Sequence, residues 1–231
     1  AMIEHVDRGL SQLRERLVKD GLDKNTAIVL MSDNGGYPFV RDPNAMRGQK
    51  SQLYEGGIRV PMVWFVPGNR AGDISDEPVS GIDIYPTIAA LANIDTANTV
   101  LDGKNIAPLI LGSAQAFPAR DLFWYLPGYT TDSIEDQDEG QGNLRIKPHD
   151  GFTQTPAVAM RRGHWKLIWY YDGAPTELYN ILVDPLEKHN QRIVEKKRVA
   201  EMLQALKQWL VETGGAVQLP KNPAYQQGAQ Q

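Results

Sequence analysis

Thr26-Ala-Ile-Val-Leu-Met-Ser-Asp-Asn-Gly-Gly36, followed by Lys50 and then Tyr54-Glu-Gly-Gly57, is the stretch that organises this 231-residue chain. Residues 26–31 are an apolar run of strand length, entered from the turn residues Asp23-Lys-Asn25. The run drives a buried strand to its C-terminal end and sets a carboxylate and an amide there. Ligand sites of open α/β sheets sit at such strand ends. An ionised carboxylate against an apolar core costs several kcal/mol, on the order of 3–5, unless a cation or hydrogen-bond donors meet it. Asp33 therefore calls for a partner, and Asn34 beside it offers a second, neutral oxygen.

Upstream, Ile3, Val6, Leu10, Leu13 and Leu17 recur at three- and four-residue steps, which predicts an amphipathic helix over residues 2–20 stopped by Gly21. Helix followed by strand reads as half of an α/β crossover. Downstream, residues 58–66 read as a second strand, in which Pro61 argues for an edge position or an irregular start. Helices are expected over 84–93 and 106–111. Near Gly112 the composition shifts. Residues 121–126 and 157–171 are aromatic and strand-like, with hairpin signals at Arg162-Gly163 and Asp172-Gly173. A polar, acidic stretch, 129–155, separates them, and a second amphipathic helix is expected over 191–212 through Val194, Met202, Leu206, Trp209 and Leu210. The domain plan is 1–115 for the α/β part, 116–213 for a small antiparallel subdomain, and 214–231 for a flexible Gln-, Pro- and Ala-rich tail.

Composition bounds the function. The chain has 42% apolar and 23% charged residues and a net charge of −4, the profile of a globular protein with no basic field for nucleic acid. No run approaches the ~20 apolar residues of a membrane span. The absence of cysteine excludes disulfides and thiolate metal sites.

The ordered motifs resemble the C-terminal half of the type I, formylglycine-dependent sulfatases of the alkaline phosphatase superfamily. They are Met2 to Gly9, Ser32-Asp-Asn-Gly-Gly36, Arg47-Gly-Gln-Lys50 running into Tyr54-Glu-Gly-Gly-Ile-Arg-Val-Pro61, Asp83-Ile-Tyr-Pro-Thr87, Leu101-Asp-Gly103, Asp121-Leu-Phe-Trp124, Arg162 to Ile168, Glu177-Leu-Tyr-Asn180 and Asp184-Pro185. The resemblance implies the C-terminal portion of a sulfatase-type mixed sheet with flanking helices, plus a small antiparallel sheet carrying one C-terminal helix. It implies a sulfuric ester hydrolase acting on sulfated small molecules or glycans, with a periplasmic or secreted parent. The nucleophile motif Cys/Ser-x-Pro-x-Arg is not present. Ala116-Phe-Pro-Ala-Arg120 matches its Pro and Arg but has alanine at the reacting position. The expectation is a fragment that is silent alone and partnered by an N-terminal half.

By the same resemblance Asp33 and Asn34 ligate calcium, and Lys50 binds the sulfate group. Oxygen-only donors select a hard cation, calcium before magnesium. Arg47 and His149 are minor candidates for substrate contact. Arg47 and Arg59 also read as structural ion-pair partners, and Glu55-Gly56-Gly57 as a segment that shapes the backbone. Two alternatives stand beside this reading: a phosphonate or phosphate ester hydrolase of the same superfamily, and a non-catalytic carbohydrate-binding or interaction module.

Overall fold

A computed structural model describes residues 2–36, 46–68, 72–113, 117–128, 130 and 154–219. The chain divides into two compact units, Ala1–Ser32 with Pro61–Pro118, and Asp33–Val60 with Ala119–Gln231. A cut at residues 115/116 keeps 33–60 with the first part; in space that segment belongs to the second. The reason is a long-range one: Leu53 and Tyr54 are buried against the C-terminal sheet.

In the first unit, α1 (Met2–Lys19) ends where Gly21 takes a φ of 69°. The Leu22 and Gly21 N–H groups close back on the Leu17 and Val18 carbonyls, satisfying two otherwise orphaned acceptors. β1 (Ile28–Met31) pairs antiparallel with a later strand, Met62–Phe65, in the register Ile28 to Phe65. That later strand starts four residues beyond the expected position. Ile58 instead closes a short helix, α2 (Glu55–Ile58), and Pro61, without an N–H, precedes the pairing. We number the Met62–Phe65 strand β2.

The Asp83-Ile-Tyr-Pro-Thr87 and Leu101-Asp-Gly103 motifs form a buried clamp that joins α3 (Ile84–Leu91) to α4 (Ala107–Ile110). The fully buried Asp83 carboxylate accepts the Ser80 and Lys104 N–H groups, each at 2.8 Å. Thr87 donates to the Asp83 carbonyl and accepts from the Ile106 N–H. A Cβ on Gly103 would stand 2.0 Å from the Ile82 carbonyl oxygen. This polar burial is stable because both carboxylate oxygens are satisfied.

The second unit is built on an antiparallel sheet in the order β3 (Asp121–Leu126), β4 (Ala157–Arg162), β5 (Trp165–Tyr170), β6 (Glu177–Asn180). Its hairpins turn through Gly163 and Gly173, both left-handed, as the sequence signals require. α5 (Lys196–Glu212) covers one face: Met202, Leu206 and Leu210 pack on Val158, Met160, Leu167 and Leu178, and Phe123 stacks on Trp209 at 4.6 Å. The opposite face, Ala157, Ala159, Ile168, Tyr170 and Tyr179, receives Leu53 and Tyr54. Covered on both sides, Ala157 to Met160 are fully buried.

α5 begins five residues later than its apolar spacing suggests. The Asn190 side-chain oxygen accepts the Leu178 and Arg192 N–H groups, and the Gln191 N–H donates to the Leu178 carbonyl. Residues 190–191 are thereby held to β6 and cannot join a helix, which leaves Val194 78% exposed and outside the stripe. Among the described residues no helix is long and apolar enough to cross a membrane.

Candidate functional site

Three glycine-rich strands of backbone are laced together here. The Gly35 N–H donates to the Gly57 carbonyl (2.9 Å), the Lys50 N–H to the Gly36 carbonyl (2.9 Å), and the Gly56 N–H to the Arg47 carbonyl (2.6 Å). The approach is too close for any side chain. A Cβ on Gly56 would lie 2.4 Å from the Gly48 oxygen, and one on Gly57 2.0 Å from the Gln52 oxygen. The glycines are present because backbone occupies the space a side chain needs.

This lacing ties the backbone that carries Asp33 and Asn34 to the backbone that carries Lys50. Lys50 is bonded to Gly36, three residues from Asp33, and three residues span at most about 11 Å. Left-handed Gly48 (φ 84°) and Ser51 (φ 69°) bracket the turn that carries Lys50. Lys50 and Asp33 are exposed and Asn34 is half-buried; the Asn34 N–H donates to Asp33 Oδ1 at 2.9 Å. Among the described residues no group of three or more His, Cys, Asp or Glu side chains could hold a metal ion.

Behind the turn lies an aromatic cage. Arg47 donates to Tyr179 OH (3.0 Å), the Glu187 carbonyl (2.8 Å) and Tyr54 OH (2.9 Å), and its guanidinium lies 3.9 Å from the centre of the Tyr54 ring. Tyr54 and Tyr179 in turn donate to Glu177 Oε2 at 2.9 and 2.8 Å. Burial above all pushes the hydroxyls of Tyr54, Tyr170 and Tyr179 up, keeping them protonated donors. Burial would lower Arg47, but Tyr54, Tyr179 and the Glu177 charge outweigh it and the guanidinium is held more firmly charged. Arg47 is thus committed to the cage. Arg59 makes the expected ion pair, 4.0 Å from Glu55 Oε2. His149 lies outside the described residues.

A buried ion triad went unread in the sequence. Lys166 Nζ is 3.0 Å from Glu55 Oε1 and 2.9 Å from Glu187 Oε1, and Glu187 Oε2 accepts the Glu55 N–H at 2.7 Å. Lys166 and Glu187 are fully buried and Glu55 nearly so. Burial, the largest influence, pushes the Glu187 carboxyl up against the opposing pull of Lys166 and the Glu55 N–H. The readable signal was Lys166 itself, a charge in the middle of the apolar strand Trp165-Lys-Leu-Ile-Trp169, which demands a buried partner.

The neighbouring segment is pinned as well. Thr130 and Gln154 bridge to each other and hold Ser51 and Leu53: Thr130 Oγ1 donates to the Ser51 carbonyl, and the Leu53 N–H donates to Gln154 Oε1.

The family model described as Sulfatase matches residues 1–94. A sulfatase of Formosa agariphila is 30% identical over 177 residues, covering 74% of this chain and 29% of its own length. Steryl-sulfatase of Rattus norvegicus is 31% identical over 221 residues, 87% of this chain and 37% of its own length. The crystal structure of Ps i-CgsB in complex with k-i-k-neocarrahexaose superposes with a TM-score of 0.70 at 30% identity, over 90% of this chain and 41% of that one. The chain belongs to the sulfatase family. It spans about a third of the length of these two sulfatases. The sulfatase-type mixed α/β fold and the small antiparallel sheet with its helix are present as expected.

Proposed function

We propose that the full-length protein hydrolyses sulfate esters of carbohydrates, and that this chain supplies the side of the site that grips sulfate and part of a cation site. Lys50 is the sulfate-binding residue. Its ammonium is a compact charge on a flexible stem, suited to meet negative charge as it spreads over the sulfuryl oxygens. Asp33 and Asn34 provide two adjacent oxygen donors to a calcium ion, with magnesium second. Two donors fit one part of a hard-cation site, since calcium takes roughly 6–8 oxygens, so further ligands come from beyond this pair. A bound divalent cation there would act as a Lewis acid toward the sulfuryl oxygens.

The observation that carries the reading is the shared lacing. The Gly35 N–H bonds the Gly57 carbonyl, the Gly56 N–H bonds the Arg47 carbonyl and the Lys50 N–H bonds the Gly36 carbonyl, so the backbone that carries Asp33 and Asn34 is tied to the backbone that carries Lys50. The nucleophile is proposed to lie outside these 231 residues, which hold no cysteine and no Ser-x-Pro-x-Arg. The test assays the full-length protein on sulfated oligosaccharides and an aryl sulfate, with phosphate and phosphonate esters alongside. Lys50→Ala is expected to cut sulfate-ester turnover by about 10²–10³-fold, and the isolated 231-residue chain to show none. Undiminished turnover in Lys50→Ala would refute the role of Lys50, and faster turnover of the phosphorus esters would reassign the substrate.

A further inference from the structure

The sheet face that does not carry α5 meets the lacing at Glu55 through a buried charged contact, beside the hydrogen bonds of Arg47 to Tyr179 and of Tyr54 to Glu177. Glu55 opens the Glu55-Gly-Gly57 turn, and both ends of this residue are tied: its carboxylate to Lys166, its N–H to Glu187 Oε2. The next two residues make the decisive backbone bonds, Gly56 to the Arg47 carbonyl on the Lys50 side and Gly57 to the Gly35 N–H on the Asp33 side. Lys166 projects from β5 on the same face as Ile168 and Tyr170, beneath this turn. Glu55 itself is tied to Lys166 and Glu187, while the adjoining Tyr54 and Arg47 are held separately by Glu177 and Tyr179.

We propose that Lys166 is a positioning residue for the sulfate and cation grip, setting through Glu55 and Glu187 the height of the turn from which both Lys50 and Asp33-Asn34 are hung. The proposal rests on the site reading above for its catalytic consequence, while its mechanical content stands on the triad alone. One consequence separates it from a role in bulk stability. Loss of Lys166 disturbs both sides of the grip together, whereas Lys50→Ala and Asp33→Ala each disturb one side.

The test uses the full-length protein and four variants: Lys166→Met, Glu187→Gln, Leu206→Ala and Lys50→Ala. Leu206 is fully buried on the opposite sheet face and serves as the stability control. Steady-state kinetics on a sulfate ester and amide hydrogen exchange at Gly35, Lys50 and Gly56 are read on the folded protein. Lys166→Met is expected to raise KM at least tenfold and speed exchange at all three amides at least tenfold. Glu187→Gln keeps an oxygen for the Glu55 N–H, folds more readily, and should give smaller changes of the same kind. Leu206→Ala should lower Tm without either signature.

Unchanged exchange at those amides in Lys166→Met and Glu187→Gln, or changes no larger than in Leu206→Ala, overturns the proposal. If Lys166→Met does not fold, Glu187→Gln decides by the same criterion. Normal activity in Lys50→Ala defeats the site reading instead, and the exchange data then judge the positioning role alone.

Discussion

The Gly35 N–H donates to the Gly57 carbonyl at 2.9 Å, and a Cβ on Gly35 would stand 1.9 Å from the Gly56 oxygen. The contact is backbone on backbone, so no rotamer change can relieve it. Gly35→Ala is therefore expected to force the two segments apart, at the upper end of the roughly 1–3 kcal/mol for overpacking or beyond it. Thermal denaturation should show a fall of about 2–4 °C per kcal/mol for a chain of this size. Gly9 lies within α1 with nothing within 4 Å of its would-be Cβ. Gly9→Ala should raise stability by up to about 1 kcal/mol, because alanine loses less backbone entropy in a helix. Equal effects of the two substitutions would contradict the crowding argument.

Arg47 anchors the Lys50 turn by three hydrogen bonds and a ring contact. Arg47→Met leaves Tyr54 OH, Tyr179 OH and the Glu187 carbonyl without their common donor. A loss of about 3 kcal/mol is expected, from roughly 1–3 kcal/mol per buried group deprived of a partner, partly offset by relaxation. Arg47→Lys should recover less than half of it, since an ammonium cannot reproduce the planar fork. Urea denaturation of the two variants checks this.

Two carboxylates set opposite slopes in the dependence of stability on pH. The Glu187 carboxyl is raised above its ordinary 4.5 chiefly by burial, so its contribution is fully present below that value and is lost as pH rises through the folded value. Burial would raise Asp184 too, but the His189 and Lys188 N–H groups accepted by its carboxylate outweigh burial and hold it below 3.8. Its contribution is present above 3.8 and is lost as pH falls through the lowered value. Glu187→Gln should flatten the slope on the neutral side of 4.5, and Asp184→Asn the slope on the acid side of 3.8. Denaturation midpoints across acid pH distinguish the two, and a Glu187→Gln protein that retains the neutral-side slope would contradict the assignment.

Calcium dependence tests the oxygen pair. In the full-length protein Asp33→Ala is expected to weaken calcium binding by at least the roughly 10–100-fold that follows loss of an outer-shell partner. Calcium titration by calorimetry reads this directly. Affinity equal to that of the parent protein would remove Asp33 from the metal site.

Much of the fold was legible because its signals are local. The α1 stripe, the Gly21 stop and the Gly163 and Gly173 turns follow from spacing and from the freedom of glycine at positive φ. The element starts that differed have non-local causes. α5 begins late because Asn190 bonds Leu178, twelve residues back, and nothing in the 191–195 spacing reports that. The site was legible in its residue types but not in its support. Glu55 reads as a companion of two glycines, and its partners Lys166 and Glu187 lie 111 and 132 residues further along the chain.

The amino-acid order alone determined which chemistries are open to this chain: two adjacent oxygen donors after an apolar strand, an ammonium sixteen residues beyond Asn34, and no thiol anywhere. It also determined where backbone must pass without side chains, since glycine at 35, 56 and 57 leaves that room. The tertiary structure alone decided what holds these pieces together. Pairing between residues more than a hundred positions apart depends on which sheet face each strand presents, and only the folded register of β4 to β6 places Lys166 beneath Glu55. A buried charge is stable only where its partner already waits.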